Sequence, residues 1–378
     1  MLKYLINTIL YNDFEINKYK NILELIPKDN RHIEEYNYDE KNDLFKIIKE
    51  FCVNSKNNKF LISLSGGVDS MVLISIIHYL GYEVIGIHIN YNNRNETLLE
   101  EKFLLQWCNY NKIKLYTKVI ENLKRCNSKR SDYESITKKI RFDFYKEIMN
   151  IENINMILLG HHKDDIVENI FANVCRGRYI LDLAVIKKES IVENVNISRP
   201  MINFYKKSIY EFAELYQVPY FKDTTPSWSV RGKYRNEIYP KIEETFTPNV
   251  KENLIGLSKQ SYEWNNLIQD EIIQPFMDNI VYYENKVNFN IEKYINYPLC
   301  FWNIIFMNIF YKFNKSCPSR KGIQNFMNTI KEKNNCYISI SNSCVTNVKN
   351  YVVSIEFKNL IIRSEEHTSE LQSPMYLV

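Results

Sequence analysis

Glycine and proline are scarce in this chain, 9 and 10 among 378 residues, which makes any clustering of glycines informative. That scarcity excludes collagen-like and Gly/Pro-rich low-complexity architectures. The 8 cysteines are scattered with no CxxC pair, so neither a zinc knuckle nor a disulfide scaffold is indicated. No apolar run is long enough to span a bilayer; the longest blocks, around residues 71–77 and 301–310, are too short or interrupted. Residues 1–10 are apolar-rich but lack a small-residue cleavage site, so no signal peptide is read there. Neither sign of charge dominates: Lys+Arg 49 against Asp+Glu 45 leaves a formal +4, which permits a nucleic-acid partner without demanding one. The expectation is a cytoplasmic protein with no membrane segment.

What is present fits a globular chain of two or three domains, with 45% hydrophobic and 25% charged residues. The 28 tyrosines, with abundant Ile, Asn and Lys, reflect an AT-rich coding sequence and say nothing about chemistry. The stretch beginning Arg363-Ser364-Glu365-Glu366-His367 resembles the translation of a sequencing-library adapter. Residues 363–378 are therefore set aside, and His367 receives no functional reading.

Residues 1–58 read as a helical, charged N-terminal extension. Residues 60–64 form a short apolar run with Asn57 and Asn58 before it and glycines after it, the pattern of a buried strand. Val72, Leu73, Ile76, Ile77 and Leu80 then recur at helical spacing, and Gly81 is placed to end that helix. Further strand-like runs lie at 84–89, 115–120 and 156–159. Helical patterns alternate with them over 96–107, over 134–149 with Ile136, Ile140, Phe144 and Ile148 as its stripe, and over 165–174. This alternation predicts an α/β fold over 59–245, a Rossmann-like doubly wound parallel sheet. A helical domain is expected over 246–335, opened by Thr247 and Pro248, and a partial β-rich segment over 336–362.

Two constellations carry chemistry. Ser65, Gly66, Gly67, Val68, Asp69 and Ser70 lie between the first strand and its helix. The glycines allow a tight turn that exposes N–H groups, and the helix N-terminus adds partial positive charge, so the loop suits a pyrophosphate. It matches neither the Walker pattern nor GxGxxG. Asp69 is placed to hold Mg²⁺ and the serine hydroxyls to bond phosphate; a plain turn with a capping serine is the alternative. The second constellation, Gly160-His161-His162-Lys163-Asp164-Asp165 with Glu168 and Asn169, follows the fourth strand, where open α/β sheets place ligands. Ile166, Val167, Ile170, Phe171 and Val174 read as the buried stripe, leaving Asp165, Glu168, Asn169 and Arg176 on the other side. Histidines beside paired carboxylates could bind a metal or steer an amine. A solvated acidic first turn, favoured by the helix dipole, is the alternative.

In this order the motifs resemble the PP-loop ATP pyrophosphatase superfamily, and in particular the tRNA(Ile)-lysidine synthetase family, over roughly residues 59–245. His88-Ile89-Asn90 is similar to that family's HxNH segment, with Tyr91 replacing the second histidine. Glu134, Lys138 and Arg141 fit its acidic-then-basic helix, with lysine at 138 where arginine is usual. Arg176-Gly177 fits its RG step and Arg199-Pro200 its RP strand. Asp223 and the run from Arg231 through Lys233 and Arg235 to Pro240 resemble its D…RNxxR…P segment, with Gly232 for the usual asparagine and a divergent turn at 224–228.

The resemblance implies an AMP-forming ligase that uses ATP and Mg²⁺. ATP would lie on Ser65, Gly66, Gly67, Val68, Asp69 and Ser70, with His88, Arg141, His161 and His162 beside it and Mg²⁺ on Asp69. The C2 oxygen of a wobble cytidine in a tRNA anticodon loop would attack the α-phosphate. The ε-amine of free lysine would then attack C2, giving lysidine. Asp69, Asp165 and Glu168 are the implied catalytic residues. Asp164, Asp165, Glu168, Arg176, Arg199, Arg231, Lys233 and Arg235 are the implied substrate contacts, with a basic loop at Lys124, Arg125, Lys129 and Arg130 and a stacking candidate in Trp228. Three alternatives stand beside this reading. A PP-loop tRNA-thiolating enzyme would call on cysteines such as Cys108, Cys126 or Cys175, but CxxC is missing. Amide-forming synthetases of NAD or GMP lack support because no glutaminase segment is recognisable. A non-catalytic RNA-binding relic conflicts with the intact loop and acidic cluster.

Overall fold

The computed structural model describes residues 33, 37–92, 96–120, 130–183, 186–221, 229–247 and 249–358. The basic loop at Lys124, Arg125 and Lys129, the Arg130 side chain, Cys126, Asp223, residues 224–228, Pro248 and the adapter-like residues 363–378 lie outside them. The chain divides into two compact units. One runs up to Arg178 and resumes after Leu183 as far as Gly256; the other holds Tyr179–Leu183 and the chain from Leu257 on.

The first unit is built on six strands: β1 (Lys59–Ser63), β2 (Glu83–Asn90), β3 (Lys114–Val119), β4 (Ile157–Leu158), β5 (Glu189–Val192) and β6 (Val195–Ser198). Their order is β3-β2-β1-β4-β6-β5, parallel throughout except for the β5–β6 hairpin. That hairpin turns on Glu193 and Asn194, both at positive φ (49° and 60°), the two-residue geometry whose twist matches the strands. Six helices pack here: α1 (Asp43–Ser55), α2 (Val68–Tyr79), α3 (Glu96–Tyr110), α4 (Arg130–Glu152), α5 (Lys163–Cys175) and α6 (Lys206–Leu215).

Side chains alternate across the sheet with period two. Phe60 and Ile62 of β1 enter a core shared with α1, α2, α3 and α6, while Leu61 enters a second core with Phe142, Phe144, Tyr145 and Ile148 of α4. Both faces are covered, and the sheet is doubly wound. Two expectations are corrected. Helix α1 is part of the α/β core: Leu44, Phe45, Ile48 and Cys52 pack into it, so the boundary at residue 58 cuts a helix from its own core. On α4 the inward row runs through Tyr133, Thr137, Phe144 and Ile148, and Ile136, one position off that row, is 43% exposed.

Beyond α6 come α7 (Val230–Lys233), a π-helical turn (Tyr234–Ile238), α8 (Tyr239–Thr245) and α9 (Val250–Ile268). Ahead of α9, the Thr247 hydroxyl accepts the Asn249 N–H at 3.3 Å. The second unit contains α10 (Gln274–Asp278), β7 (Val281–Tyr282), β8 (Lys286–Asn290), α11 (Leu299–Lys312), α12 (Arg320–Glu332), β9 (Asn335–Ile338), β10 (Cys344–Lys349) and β11 (Val352–Phe357). Its strands form an antiparallel sheet in the order β7-β8-β11-β10-β9. Strands β7 and β8 interrupt the stretch expected to be helical. The boundary drawn between residues 335 and 336 also falls inside one core, in which Trp302, Phe306, Phe310 and Phe326 of the helices pack with Val353, Ile355 and Phe357 of β11. Among the described residues no helix is long and apolar enough to cross a membrane, and the cysteines are free.

Strand order reverses at β1, which pairs with β2 on one side and β4 on the other. The crevice beyond the C-terminal ends of β1 and β4 is thus the place where an open α/β sheet binds its ligand. The opposite end of the sheet carries a charge staple. Glu152, the last residue of α4, receives Lys59 at the start of β1 (2.7 Å), Lys114 at the start of β3, and the Tyr116 hydroxyl. A carboxylate is disfavoured at a helix C-terminus by the dipole, and the two lysines offset this.

The hydrogen bonds from Lys114, Lys59 and Tyr116 hold the Glu152 carboxyl down at about 2, against an ordinary 4.5. A depressed carboxyl stabilises the fold fully above its unfolded value and loses that contribution as pH falls toward its folded value. Glu152→Gln should therefore lower the melting temperature at pH 7. The gap to the unaltered protein should shrink steadily below about pH 4.5 in a scan of thermal unfolding against pH. A gap independent of pH would contradict the charge staple.

Candidate active site

The loop after β1 is shaped by its glycines and by a neighbouring strand. Gly66 sits at φ +83°, a conformation costly for any side chain. The Gly66 carbonyl accepts the Phe221 N–H at 2.8 Å, and Gly67 and Phe221 form an isolated parallel bridge. Ser70 Oγ lies 3.2 Å from both the backbone N and Oγ of Ser65 and donates to the Gly67 carbonyl at 3.0 Å. Gly67 caps α2 without any side-chain bond, so the first N–H groups of that helix keep no intrahelical acceptor and favour an anion.

His88 pins the end of β1 from β2: its Nδ1 is 2.8 Å from the Leu64 carbonyl. Burial lowers its pKa, so the ring is neutral, with the proton on the nitrogen facing the carbonyl. Its Nε2 is buried without a partner and carries a lone pair. That nitrogen accepts a hydrogen bond, so it suits a hydroxyl or amino group and not a phosphate oxygen. On α4, Arg141 stands one turn before Tyr145, whose hydroxyl is 2.9 Å from Ser63 Oγ, and the Arg141 Nε is buried without a hydrogen-bond partner.

The second loop, after β4, comes in against the first. A Cβ on Gly160 would lie 3.1 Å from the Asp69 carbonyl carbon and from the Ser70 nitrogen, so the two loops pack backbone to backbone. His162 is almost fully buried among three carboxylates: its Nε2 is 3.6 Å from Asp69 Oδ1 and 3.4 Å from Asp165 Oδ2, and its Nδ1 is 3.6 Å from Asp164 Oδ2. His161 faces the other way and accepts the Arg199 Nε–H on Nδ1 at 3.1 Å. Burial pushes the His161 pKa down to about 3, leaving a neutral ring whose Nε2–H is a donor.

Asp165 and Glu168 form the acidic floor. Asp165 Oδ2 accepts the His162 N–H at 3.0 Å. Arg231 binds Glu168 through Nε at 2.8 Å and Asp165 through its terminal nitrogen; Arg235 binds Glu168 through Nε and lies 3.6 Å from Asp165. Although burial works against it, the charges of His162 and Arg231 hold the Asp165 carboxyl well below the usual carboxylate range. On α5, Val167 and Ile170 of the expected apolar stripe are buried, and the polar side, expected to face away, is buried as well. Asp165, Glu168, Asn169 and Asn173 are buried, and Val174 is 48% exposed. The polar side is inward because the arginine-bearing segment covers it and its charges are satisfied there.

The remaining sequence candidates divide. Asp164 is already engaged: it caps α6 by accepting the Lys206 N–H at 2.8 Å and pairs with Lys251. Arg199 is fully buried and bonded to the Lys187 carbonyl (2.8 Å) and Ser190 Oγ (2.9 Å), so it props His161 and does not face solvent. Arg176 is exposed at the C-terminal end of α5, about 16 Å along the helix from Asp165. Lys233 is exposed, and Lys138 pairs with Glu193 at 3.0 Å. Sequence reasoning missed Lys206, whose Nζ is 3.4 Å from Asp69 Oδ2, as well as Lys251 and Phe221. No local signal marks Lys206 or Lys251, which lie 137 and 87 residues from their carboxylate partners.

The arrangement fits a nucleotide with its cation. Asp69 Oδ1 is buried and lacks a hydrogen-bond donor, as expected of an oxygen that a cation would satisfy. Among the described residues no three His, Cys, Asp or Glu stand grouped for a metal. Mg²⁺ needs no such cage, because it is commonly held by one or two carboxylates and the substrate's own phosphates.

Several known proteins are similar to this chain. The model of the PP-loop domain family matches residues 40–242. A tRNA(Ile)-lysidine synthase of Chlamydia muridarum is 25% identical over 234 residues, covering 61% of this chain and 72% of that protein. One of Enterococcus faecalis is also 25% identical, covering 60% of this chain but only 50% of that protein. Among solved structures, a U34-tRNA thiolase from Methanococcus maripaludis is similar with a TM-score of 0.48 at 17% identity, over 60% of this chain and 84% of that one.

The loop-to-loop contact is testable. Gly160→Ala drives a methyl group into the backbone of Asp69 and Ser70 and should weaken ATP binding, measured by calorimetry, about tenfold or more while the protein stays folded. Undiminished binding would show that the two loops do not set each other's position.

Proposed function

Because the chain belongs to the PP-loop domain family, we propose that it is a cytoplasmic ATP-dependent ligase that adenylates a tRNA wobble cytidine and joins lysine to it. One observation carries the reading: a buried pair of carboxylates, Asp165 and Glu168, already shaped to hold cationic side chains, lies one imidazole away from Asp69 of the phosphate loop. An amine and an activated phosphate ester would therefore meet. The relatives named tRNA(Ile)-lysidine synthase support the same substrates.

The triphosphate lies on the N–H groups at the start of α2, with Lys206 and Arg141 as flanking cations and the His161 Nε2–H as a neutral donor. The His88 Nε2 accepts from a ribose hydroxyl or the adenine amine. The cytidine C2 oxygen attacks the α-phosphorus, and the bond to the bridging oxygen breaks so that pyrophosphate leaves with its electron pair. Positive groups fixed around that oxygen stabilise the charge as it develops. Asp69 would hold Mg²⁺, which would supply additional charge neutralisation. The lysine ammonium then sits between Asp165 and Glu168 and gives up a proton there. Its nitrogen attacks C2, and AMP departs with the oxygen.

The test is transfer of radiolabelled lysine into bulk tRNA. Label should enter RNA only with ATP, and Asp69→Ala should reduce it about a hundredfold or more. ATP consumption with tRNA but without lysine transfer would overturn the assignment of the amine.

A further inference from the structure

Asp69 already faces a cation, and that cation belongs to the chain. The Nζ of Lys206 lies 3.4 Å from Asp69 Oδ2, and the two side chains are 21% and 23% exposed, so a ligand can reach the pair from solvent. Lys206 is held in place from two sides. Its backbone N–H donates to Asp164 Oδ2 at 2.8 Å, and its ammonium lies 5.6 Å from the centroid of the Tyr210 ring, one turn further along α6. Lys207 is turned the other way, 85% exposed and 3.8 Å from Glu211.

The position is a poor one for a lysine as far as the helix is concerned. Lys206 and Lys207 open α6, whose first turn carries no acid, and a helix N-terminus disfavours a cation. The carboxylate of Asp69, not the helix, accounts for the ammonium there. Asp69 itself presents one oxygen to Lys206 and keeps the other, Oδ1, buried without a donor. Mg²⁺ bonds a carboxylate oxygen at about 2.0–2.1 Å. Set on either oxygen of Asp69, the ion would share one negative charge with the ammonium, and the two cations would repel at close range. Nucleotide removes that conflict. Its phosphate oxygens accept the ammonium and also complete the coordination of the metal.

From this we infer that Lys206 is a positioning residue that ties metal loading to nucleotide: it neutralises Asp69 in the free protein and passes to the phosphates when ATP arrives, so Mg²⁺ enters with the nucleotide and not before it. The inference rests on the proposed seat of ATP on residues 65–70 and of Mg²⁺ on Asp69. The coupling is reciprocal, since a nucleotide that raises the affinity for metal has its own affinity raised by the metal in equal measure. Until then the ammonium keeps the carboxylate of the phosphate loop from standing as an uncompensated charge.

The experiment titrates Mn²⁺ into the nucleotide-free full chain and counts the free ion by electron paramagnetic resonance, Mn²⁺ serving as the probe because carboxylates take it as they take Mg²⁺. Lys206→Met should bind Mn²⁺ about tenfold or more tightly than the unaltered protein. Lys206→Arg, which keeps the cation, should return to weak binding, and the gain should vanish when Lys206→Met is combined with Asp69→Asn. In chelator, calorimetry should show Lys206→Met losing about tenfold in affinity for metal-free ATP. An unchanged thermal transition certifies the fold of each variant. Equal Mn²⁺ affinity in Lys206→Met and the unaltered protein, or a gain that survives Asp69→Asn, would overturn the inference while leaving the ligase reading intact. Failure of the unaltered protein to bind ATP, with or without metal, would overturn both.

Discussion

Two buried carboxylates on one helix cannot stand without cations, and much of the first unit is arranged around that constraint. Isolated charge in a protein interior is costly enough that it is either neutralised or paired. Asp165 and Glu168 are paired, by Arg231 and Arg235, and Asp165 is further held by the His162 N–H. The segment at 230–238 is thereby tied to α5, whose polar side is buried along with Val167 and Ile170. His162 continues the network to Asp69, so the acidic floor and the phosphate loop are one electrostatic unit.

The sheet supplies the place for this unit. Reversal of strand order at β1 brings the loops after β1 and β4 side by side, and Gly160 lets their backbones touch. Phe221 closes the phosphate loop from a third direction and Lys206 approaches Asp69 from a fourth. Stability is concentrated elsewhere, in the two cores flanking the sheet and in the Glu152 staple at its opposite edge.

The legible parts of the chain were those whose signals are local. A four- or five-residue apolar run followed by glycines marks β1 and its loop, and helical spacing with a terminal glycine marks α2, because both strand burial and helix termination act over neighbouring residues. Strands β5, β7, β8 and β10 escaped, while β6 runs into Arg199-Pro200, where a strand was expected. The four that escaped are two to six residues long, and each has exposed positions along it. The burial of the polar side of α5 was missed for a different reason. Apolar-inward reasoning fails where a polar face is satisfied by partners far along the chain, and Arg231 and Arg235 lie 60 to 70 residues away from their carboxylates (66 and 67). A separation of 137 residues from Asp69 hid Lys206 in the same way. Residue types at the site could be read; which of them face each other could not.

The proposed chemistry requires the loop from Ser65 to Ser70 to present the α-phosphate of ATP to an RNA oxygen. The most direct measurement offers the protein tRNA with α-³²P-labelled or γ-³²P-labelled ATP, without lysine, and quenches the mixture at short times. RNA should acquire α label and no γ label, and lysine should chase the α label into AMP. Transfer of γ label, or RNA that stays unlabelled while ATP is hydrolysed, would contradict it.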